Sequence, residues 1–167
     1  MATLPRRQGP FYSSTCQKLG GQAPFGAVRR SDPSIHVYDG VIGKEIKQLV
    51  GHTNWVQSLA WSPDGKYLVS SSYDQKVFLW DLETNQIVGT LVSGESVVTV
   101  VEWSPCGRYL AGGSHNGTVR IWDVGTGEIL YMYPAQKWGL ESLAWSPAGD
   151  RLAITEYNSI IILGELE

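Results

Sequence analysis

Cysteine and long apolar runs are scarce in this sequence, and each scarcity excludes a class of protein. The 167 residues include 2 cysteines, Cys16 and Cys106, which are too few and too far apart to indicate a disulfide framework or a zinc cluster. No apolar run approaches the roughly 20 residues that a membrane-spanning helix needs. We therefore expect an intracellular protein, cytoplasmic or nuclear, without a membrane segment.

Charged residues make up only 17% of the chain, and they are unevenly divided. Residues 1–47 carry 7 basic and 3 acidic side chains, a net charge of +4, while residues 48–167 carry 6 and 13, a net charge of −7. Arginine pairs at 6–7 and 29–30 keep open a nucleic-acid contact or a targeting segment in the basic part. The overall net charge of −3 argues against a dedicated nucleic-acid-binding domain.

Helical periodicity is absent, and short alternations of apolar and polar residues typical of strands take its place. Between these alternations a turn motif, Trp-Ser-Pro-x-Gly, begins at Trp61, Trp103 and Trp145. The spacing is 42 residues both times. A constant period of this length is typical of stacked repeat architectures.

A second motif repeats in the same register. The segment VFLWDL at 77–82 returns 42 positions later as VRIWDV at 119–124 and, in decayed form, as IILGEL at 161–166. One period earlier, the Trp-Asp pair of the first segment falls on Tyr38 and Asp39. Residues 31–167 are therefore predicted to form a repeat array. Residues 1–30 are either a degenerate first unit or an N-terminal segment outside the repeat.

Each unit predicts four short strands, seen most clearly at 55–61, 67–72, 76–81 and 86–91. One four-stranded sheet alone would leave both apolar faces in water, whereas sheets stacked side by side cover one another. The sequence therefore predicts an all-β fold of about three to four four-stranded antiparallel sheets.

These motifs resemble the WD-repeat β-propeller family. The resemblance rests on Trp-Asp at the end of a strand, on Gly51-His52 ahead of a first strand, and on the period near 40. It implies a partial or small propeller, because rings in this family typically have seven blades and seven units of 42 residues exceed 167. Open sheet edges and faces invite association, so we expect self-association or completion of the ring by another chain.

The resemblance also implies a hydrogen-bond chain inside each blade. In the family it joins a histidine, a strand serine or threonine, a turn aspartate and the tryptophan of Trp-Asp. The matching positions are His52, Ser70 or Ser72, Asp74 and Trp80, with Asn116 and Trp122 kept in the following unit. We expect the blade around Trp80 to be the most rigid and the last blade to open most readily.

His52, Ser70 and Asp74 are also the residue types of a hydrolase triad. No Gly-x-Ser-x-Gly turn surrounds Ser70 or Ser72, and the repeat places all three triad-type residues in the internal network. The histidines lack metal-ligand spacing, and the glycine-rich segments lack the lysine of a phosphate loop. We therefore expect a protein without catalytic, cofactor-binding or metal-binding residues, which is not an enzyme.

In propellers of this family, one face formed by loops and turns usually binds peptides or proteins. The aromatic and ionisable residues at the matching positions are Trp55, Tyr73, His115, Lys137, Trp138 and Tyr157. Exposed aromatic side chains anchor interfaces because they offer a large contact area with little entropy to lose. The resemblance implies a scaffold or adaptor for protein or peptide partners. The alternatives are a truncated portion of a larger propeller and a nucleic-acid-contacting subunit.

Overall fold

The computed structural model describes residues 25–29, 32–92, 96–134, 140–156 and 159–164. Within these ranges the chain forms fourteen β-strands, and no helix there is long and apolar enough to cross a membrane. In chain order the strands are β1 Phe25–Arg29, β2 Ile35–Asp39, β3 Glu45–Leu49, β4 Val56–Trp61, β5 Tyr67–Ser72, β6 Lys76–Asp81, β7 Gln86–Val92, β8 Val98–Trp103, β9 Tyr109–Ser114, β10 Val119–Asp123, β11 Ile129–Tyr133, β12 Leu140–Trp145, β13 Leu152–Glu156 and β14 Ser159–Leu163.

The strands form four antiparallel sheets in which sequence neighbours pair. The first sheet contains β1 to β3, the second β4 to β7, the third β8 to β11 and the fourth β12 to β14. The prediction of an all-β fold built from four-stranded antiparallel sheets is confirmed by the second and third sheets. The first and fourth sheets have three strands each among the described residues.

The Trp-Ser-Pro-x-Gly motif forms the turn between the first two strands of the second, third and fourth sheets. Gly65, Gly107 and Gly149 have φ angles of 72°, 73° and 78°, a left-handed conformation that glycine adopts without strain. Each of these glycines donates its N–H to the carbonyl of the serine three residues earlier, at 2.9 Å. The motif therefore repeats because one turn geometry repeats.

Apolar side chains fill the three spaces between neighbouring sheets. The space between the first and second sheets holds Ile35 and Trp80, the next holds Val77 and Trp122, and the last holds Ile121 and Leu152. All six side chains are at most 2% exposed. Each sheet thus buries the face of its neighbour, as the repeat pattern predicted.

Hydrogen bonds from tryptophan indoles also join neighbouring sheets. Trp103 donates its Nε1–H to the carbonyl of Ala60 at 3.1 Å, and Trp145 donates to the carbonyl of Glu102 at 3.3 Å. The backbone N–H of Val101 donates to Ser58 Oγ at 3.2 Å in the same place. We call the two tryptophan contacts the indole joints. They fix the first strand of one sheet against the first strand of the sheet before it.

The first sheet begins before residue 31. β1 pairs with β2 from Phe25 opposite Asp39 to Arg29 opposite Ile35, so residues 25–29 belong to the same sheet as the repeat that follows. The predicted boundary at residue 30 does not separate this strand from its sheet. Residues 1–24 lie outside the described residues.

The fourth sheet departs from the 42-residue register. In the third sheet Gly113 lies opposite Val119, so the repeat predicts Thr155 opposite Ile161. Thr155 instead lies opposite Ile160. Because side chains alternate between the two faces of a strand, a shift of one residue moves every side chain of β14 to the other face.

The shift corrects the expectation for the decayed motif at 161–166. Trp122 lies opposite Leu110 in the third sheet, and Leu163 lies opposite Leu152 in the fourth. Leu163, and not Gly164, therefore takes the place of the motif tryptophan. An apolar side chain is kept at this inter-sheet position although the sequence alignment puts a glycine there.

Candidate functional site

The second sheet contains a continuous hydrogen-bond chain through four of the predicted network residues. Asp74 Oδ2 lies 2.8 Å from His52 Nδ1, and His52 Nε2 lies 2.7 Å from Ser70 Oγ. Trp80 donates its indole Nε1–H to Ser70 Oγ at 2.7 Å. With a proton on Nδ1, the imidazole donates to the carboxylate and accepts from the serine, so each polar group has a partner.

Burial and hydrogen bonding set the protonation of this chain. Burial lowers the pKa of the His52 imidazole below its ordinary value, and the Asp74 carboxylate offsets only part of that effect. Burial acts to raise the pKa of Asp74, but hydrogen bonds from the Thr53 backbone and from His52 hold it below its ordinary value. Near neutral pH the pair is therefore a neutral imidazole beside a carboxylate.

Ser72, the other serine considered for the network, has a different role. Its hydroxyl donates to the carbonyl of Asn54 at 2.9 Å, and its Oγ accepts the backbone N–H of Asp74 at 3.1 Å. Thr53 donates its backbone N–H to Asp74 Oδ2 at 3.0 Å. Ser72 and Asp74 together fasten the loop before β4 to the turn between β5 and β6.

Two exposed aromatic side chains stand on this fastened loop and turn. Trp55 precedes β4 and is 61% exposed, and Tyr73 lies in the turn after β5 and is 47% exposed. Their rings meet edge to face, with centroids 6.4 Å apart and an interplanar angle of 74°. The backbone N–H of Tyr73 donates to the carbonyl of Trp55 at 2.9 Å. We call this pair the aromatic platform.

His115 occupies the equivalent turn of the third sheet. Its backbone N–H donates to the carbonyl of Val97 at 2.8 Å, and Val97 stands 42 positions after Trp55 as His115 does after Tyr73. The His115 side chain is exposed. The other three predicted partner-binding residues, Lys137, Trp138 and Tyr157, lie outside the described residues.

The third sheet has no equivalent chain among its described residues. Asn116 Oδ1 accepts the backbone N–H of Thr118 at 3.1 Å, so this side chain closes its own turn. The indole Nε1 of Trp122 is buried and has no partner in the described structure. Gly112 stands where the second sheet has Ser70, and a Cβ added there would lie 2.6 Å from the Trp122 ring. The tryptophan ring fills the space that the serine occupies in the second sheet.

The first sheet carries a polar cluster that the sequence reasoning missed. His36 Nε2 lies 3.0 Å from Ser34 Oγ, and His36 Nδ1 lies 3.1 Å from Glu45 Oε1. Ser34 donates its hydroxyl to Asp32 Oδ1. The only available signal was the alternation of Asp32, Ser34 and His36 on one face of a strand. Because the Ser34 hydroxyl is committed to a carboxylate, the cluster does not present a nucleophile.

The buried chain of the second sheet is equally unsuited to catalysis in this conformation. Its order of aspartate, histidine and serine is that of a hydrolase triad, but Ser70 is 0% exposed and His52 is 4% exposed. The Ser70 Oγ also accepts the Trp80 indole, and the His52 ring stacks on Phe78 with centroids 4.4 Å apart. No path leads from solvent to the hydroxyl, so the geometry supports a structural role.

Other kinds of site have little support in the part of the chain that the structure describes. No group of three potential metal ligands occurs there. The side chains of the paired arginines at 6–7 and 29–30 fall outside it, so the nucleic-acid alternative stays a sequence-based prediction.

Comparisons with known proteins agree with this geometry. The family described as "WD domain, G-beta repeat" matches residues 43–81 and 85–123. The chain is a WD-repeat protein. Each matched stretch begins in or near the outer strand of one sheet and ends at the Trp-Asp strand of the next, or at its Tyr-Asp equivalent where the tryptophan is replaced. WD repeats in general mediate protein interactions and do not catalyse reactions.

Several WD-repeat relatives match part of the chain. "Nuclear distribution protein nudF 2" of Talaromyces marneffei is 35% identical over 98 residues, which is 58% of this chain and 20% of that protein. "Nuclear distribution protein PAC1" of Gibberella zeae is 45% identical over 60 residues, 36% of this chain and 13% of that protein. "WD repeat-containing protein 1" of Bos taurus is 33% identical over 84 residues, 48% and 14%. The chain thus covers a fifth or less of each of these relatives.

Sequence reasoning also missed the acceptors of the inter-sheet hydrogen bonds. Ser58 and Ala60 accept from the third sheet, yet neither was singled out. A signal was present, because Ser-Leu-Ala precedes the motif tryptophan both at 58–60 and at 142–144. A carbonyl acceptor has no side-chain signature, which is why motif searching overlooks it.

Proposed function

We propose that this WD-repeat protein is a non-enzymatic scaffold that binds a protein or peptide partner through the aromatic platform of Trp55 and Tyr73. The observation that carries the proposal is the exposure of two adjoining aromatic rings, 61% and 47%, on a loop and turn held by buried hydrogen bonds. Aromatic side chains of this kind dominate the binding energy of protein interfaces.

Rigidity of the platform supports binding as its role. The carbonyls of Asn54 and Trp55 are held by Ser72 and by the backbone of Tyr73, so little conformational entropy remains to be lost when a partner binds. The buried chain from Asp74 to Trp80 supports the same turn from below. The partner that fits is a segment with an apolar anchor that lies against the two rings.

The same geometry argues against an enzyme and for expected absences elsewhere. The buried network supports a loop, and no described cluster resembles a metal or cofactor site. A location in the cytoplasm or nucleus remains a prediction from the sequence.

A peptide-binding experiment tests the platform. Peptides selected from a random displayed library against the purified chain are expected to bind Trp55→Ala and Tyr73→Ala variants at least about tenfold more weakly. Fluorescence polarisation of labelled peptides measures the affinities. The matched control is Tyr131→Ala, because Tyr131 is 45% exposed on the outer strand β11 and away from the loop face. Equal affinity of the selected peptides for the wild type and for the doubly substituted Trp55→Ala, Tyr73→Ala chain would contradict the proposal.

A further inference from the structure

The fourth sheet has one face that no described part of the chain covers. Residues directly opposite one another on neighbouring strands share a face. Two rows on this face are given by the pairing, and they are Ser142, Thr155 and Ile160 in one row and Ala144, Ala153 and Ile162 in the other. We call these six residues the open face. Its isoleucines are 72% and 64% exposed.

The equivalent face of the third sheet is covered. Ile121 lies opposite Ala111 there, as Ile162 lies opposite Ala153 in the fourth sheet. Ile121 is 2% exposed because the fourth sheet packs on it, whereas Ile162 is 64% exposed. The open face is therefore an inter-sheet face whose covering layer is absent from the described structure.

The open face can be covered without stranding a charge. None of its six side chains is ionisable. Its two hydroxyls lie near acceptors on the same sheet, with Thr155 Oγ1 at 3.4 Å from the carbonyl of Ser142 and Ser142 Oγ at 3.5 Å from that of Leu143. The desolvation cost of covering is consequently small beside the gain from burying two isoleucines.

The shape of the open face is graded from one edge to the other. The side chains of β12 are the small Ser142 and Ala144, while those of β14 are the large Ile160 and Ile162. A low edge and a high edge on one surface make it complementary to itself. Rotation of a second copy by 180° about an axis parallel to the strands places the high edge of each copy over the low edge of the other.

We propose that the open face of the fourth sheet is a two-fold interface with a second copy of this chain. In that arrangement Ile162 of each copy packs on Ala144 of the other, and Ile160 packs on Ser142. The contact is isologous and closed, so it stops at two copies. The shifted register of β14 provides the isoleucines for this contact, because it turns Ile160 and Ile162 to the open side. The aromatic platform lies on a different sheet, so the dimer does not depend on the proposed function.

Sedimentation velocity of the full chain over a concentration series tests the proposal. The wild type is expected to sediment as a dimer, and the Ile162→Lys and Ala144→Glu variants are each expected to raise the dissociation constant at least about tenfold, since each buries an unpaired charge. Val88→Lys is the matched control, because Val88 is 54% exposed on β7 and outside the open face. Circular dichroism melting confirms that the variants stay folded, which their exposure in the single chain leads us to expect.

A mixing experiment distinguishes the two-fold arrangement from other contacts. An equimolar mixture of Ile162→Lys and Ala144→Glu chains is expected to recover the dimer, because the introduced charges of opposite sign then meet at one site and the other site is wild type. A monomeric wild type would overturn the proposal, as would a dimer that keeps its affinity in both variants. Failure of the mixture to recover, or species larger than dimers, would refute the two-fold geometry. Platform variants such as Trp55→Ala are expected to leave the dimer unchanged, so the two proposals fail separately.

Discussion

Ser70 and Ser71 are neighbours on β5 with opposite surroundings. Both are 0% exposed, but Ser70 Oγ contacts His52 and Trp80, whereas Ser71 Oγ has no partner in the described structure. Replacing Ser70 by alanine is expected to lower the free energy of unfolding by about 2 to 4 kcal/mol, because it leaves a buried imidazole nitrogen and a buried indole N–H without partners. Urea unfolding followed by tryptophan fluorescence measures the change.

Ser71→Ala is the matched control for that measurement. It removes a buried hydroxyl that makes no hydrogen bond, so the stability is expected to stay within about 0.5 kcal/mol of the wild type or to rise. A structural role for Ser70 also requires that peptide binding at the aromatic platform persists in the folded Ser70→Ala variant. Equal losses from the two substitutions would show that the hydrogen-bond chain contributes nothing specific.

The stability of the fold is expected to depend on pH through His52. Burial places the pKa of His52 in the folded state below its ordinary value of 6.5, so below about pH 6.5 the unfolded chain binds this proton more readily than the folded chain does. The free energy of unfolding therefore falls as the pH drops from about 6.5 toward the pKa of the folded state.

Urea titrations at pH 7.5, 6.5 and 5.5 measure this dependence. The His52→Gln variant provides the reference, because it keeps the titrations of His36 and His115. The stability gap between the wild type and the variant is expected to narrow as the pH falls, since only the wild type carries the His52 proton. A gap that stays constant across the range would exclude His52 as the source.

The sequence could name the residues of the buried chain but could not choose between Ser70 and Ser72. These residues are two apart on a strand, so their side chains point to the same face and alternation cannot separate them. The choice depends on distance along the strand, since Ser70 lies level with the His52 ring and Ser72 lies level with the carbonyl of Asn54. Only the packed sheet defines those levels.

At the scale of the sheets, the fourth sheet is expected to exchange its amide hydrogens sooner than the second. The second sheet is packed on both faces and contains the buried hydrogen-bond chain, whereas the fourth sheet is packed on one face and ends at β14, whose far edge pairs with no described strand. Local opening costs less free energy where fewer apolar contacts are lost.

Hydrogen exchange measured by mass spectrometry at low protein concentration tests this order. Peptides covering β13 and β14 are expected to exchange before those covering β5 and β6. At higher concentration the proposed dimer is expected to slow exchange in β14, and Ile162→Lys is expected to abolish that slowing. Protection that is equal in the two sheets would contradict the argument.

The strands of the second sheet were predictable to within about one residue, but the register of β14 was not. A period of 42 counts positions along the chain, and it does not detect a connection shortened by one residue. Glu156 lies opposite Ser159, so the turn leaves two residues between them, and this shortening reverses the faces of β14. The apolar composition of residues 160–163 hides the change, because isoleucine and leucine suit either face.

At the scale of the whole molecule, the sequence predicted stacking because no single sheet can bury two apolar faces. The structure has that stacking in three separate cores, each shared by two neighbouring sheets. The sequence could not predict how the end faces differ, because that difference depends on which side chains are left after each neighbour is placed. The last face is uncharged and graded in size, while the first sheet carries the polar cluster around His36.

The indole joints give the molecule a way to change its length. Each tryptophan bonds to a main-chain carbonyl of the preceding sheet, and a carbonyl is present whatever residue occupies that position, as Ala60 and Glu102 demonstrate. Duplication or deletion of one 42-residue unit would leave every remaining connection with the same donor, acceptor and spacing. A gene encoding such an array can gain or lose units in a single recombination event without any compensating mutation at the new junction.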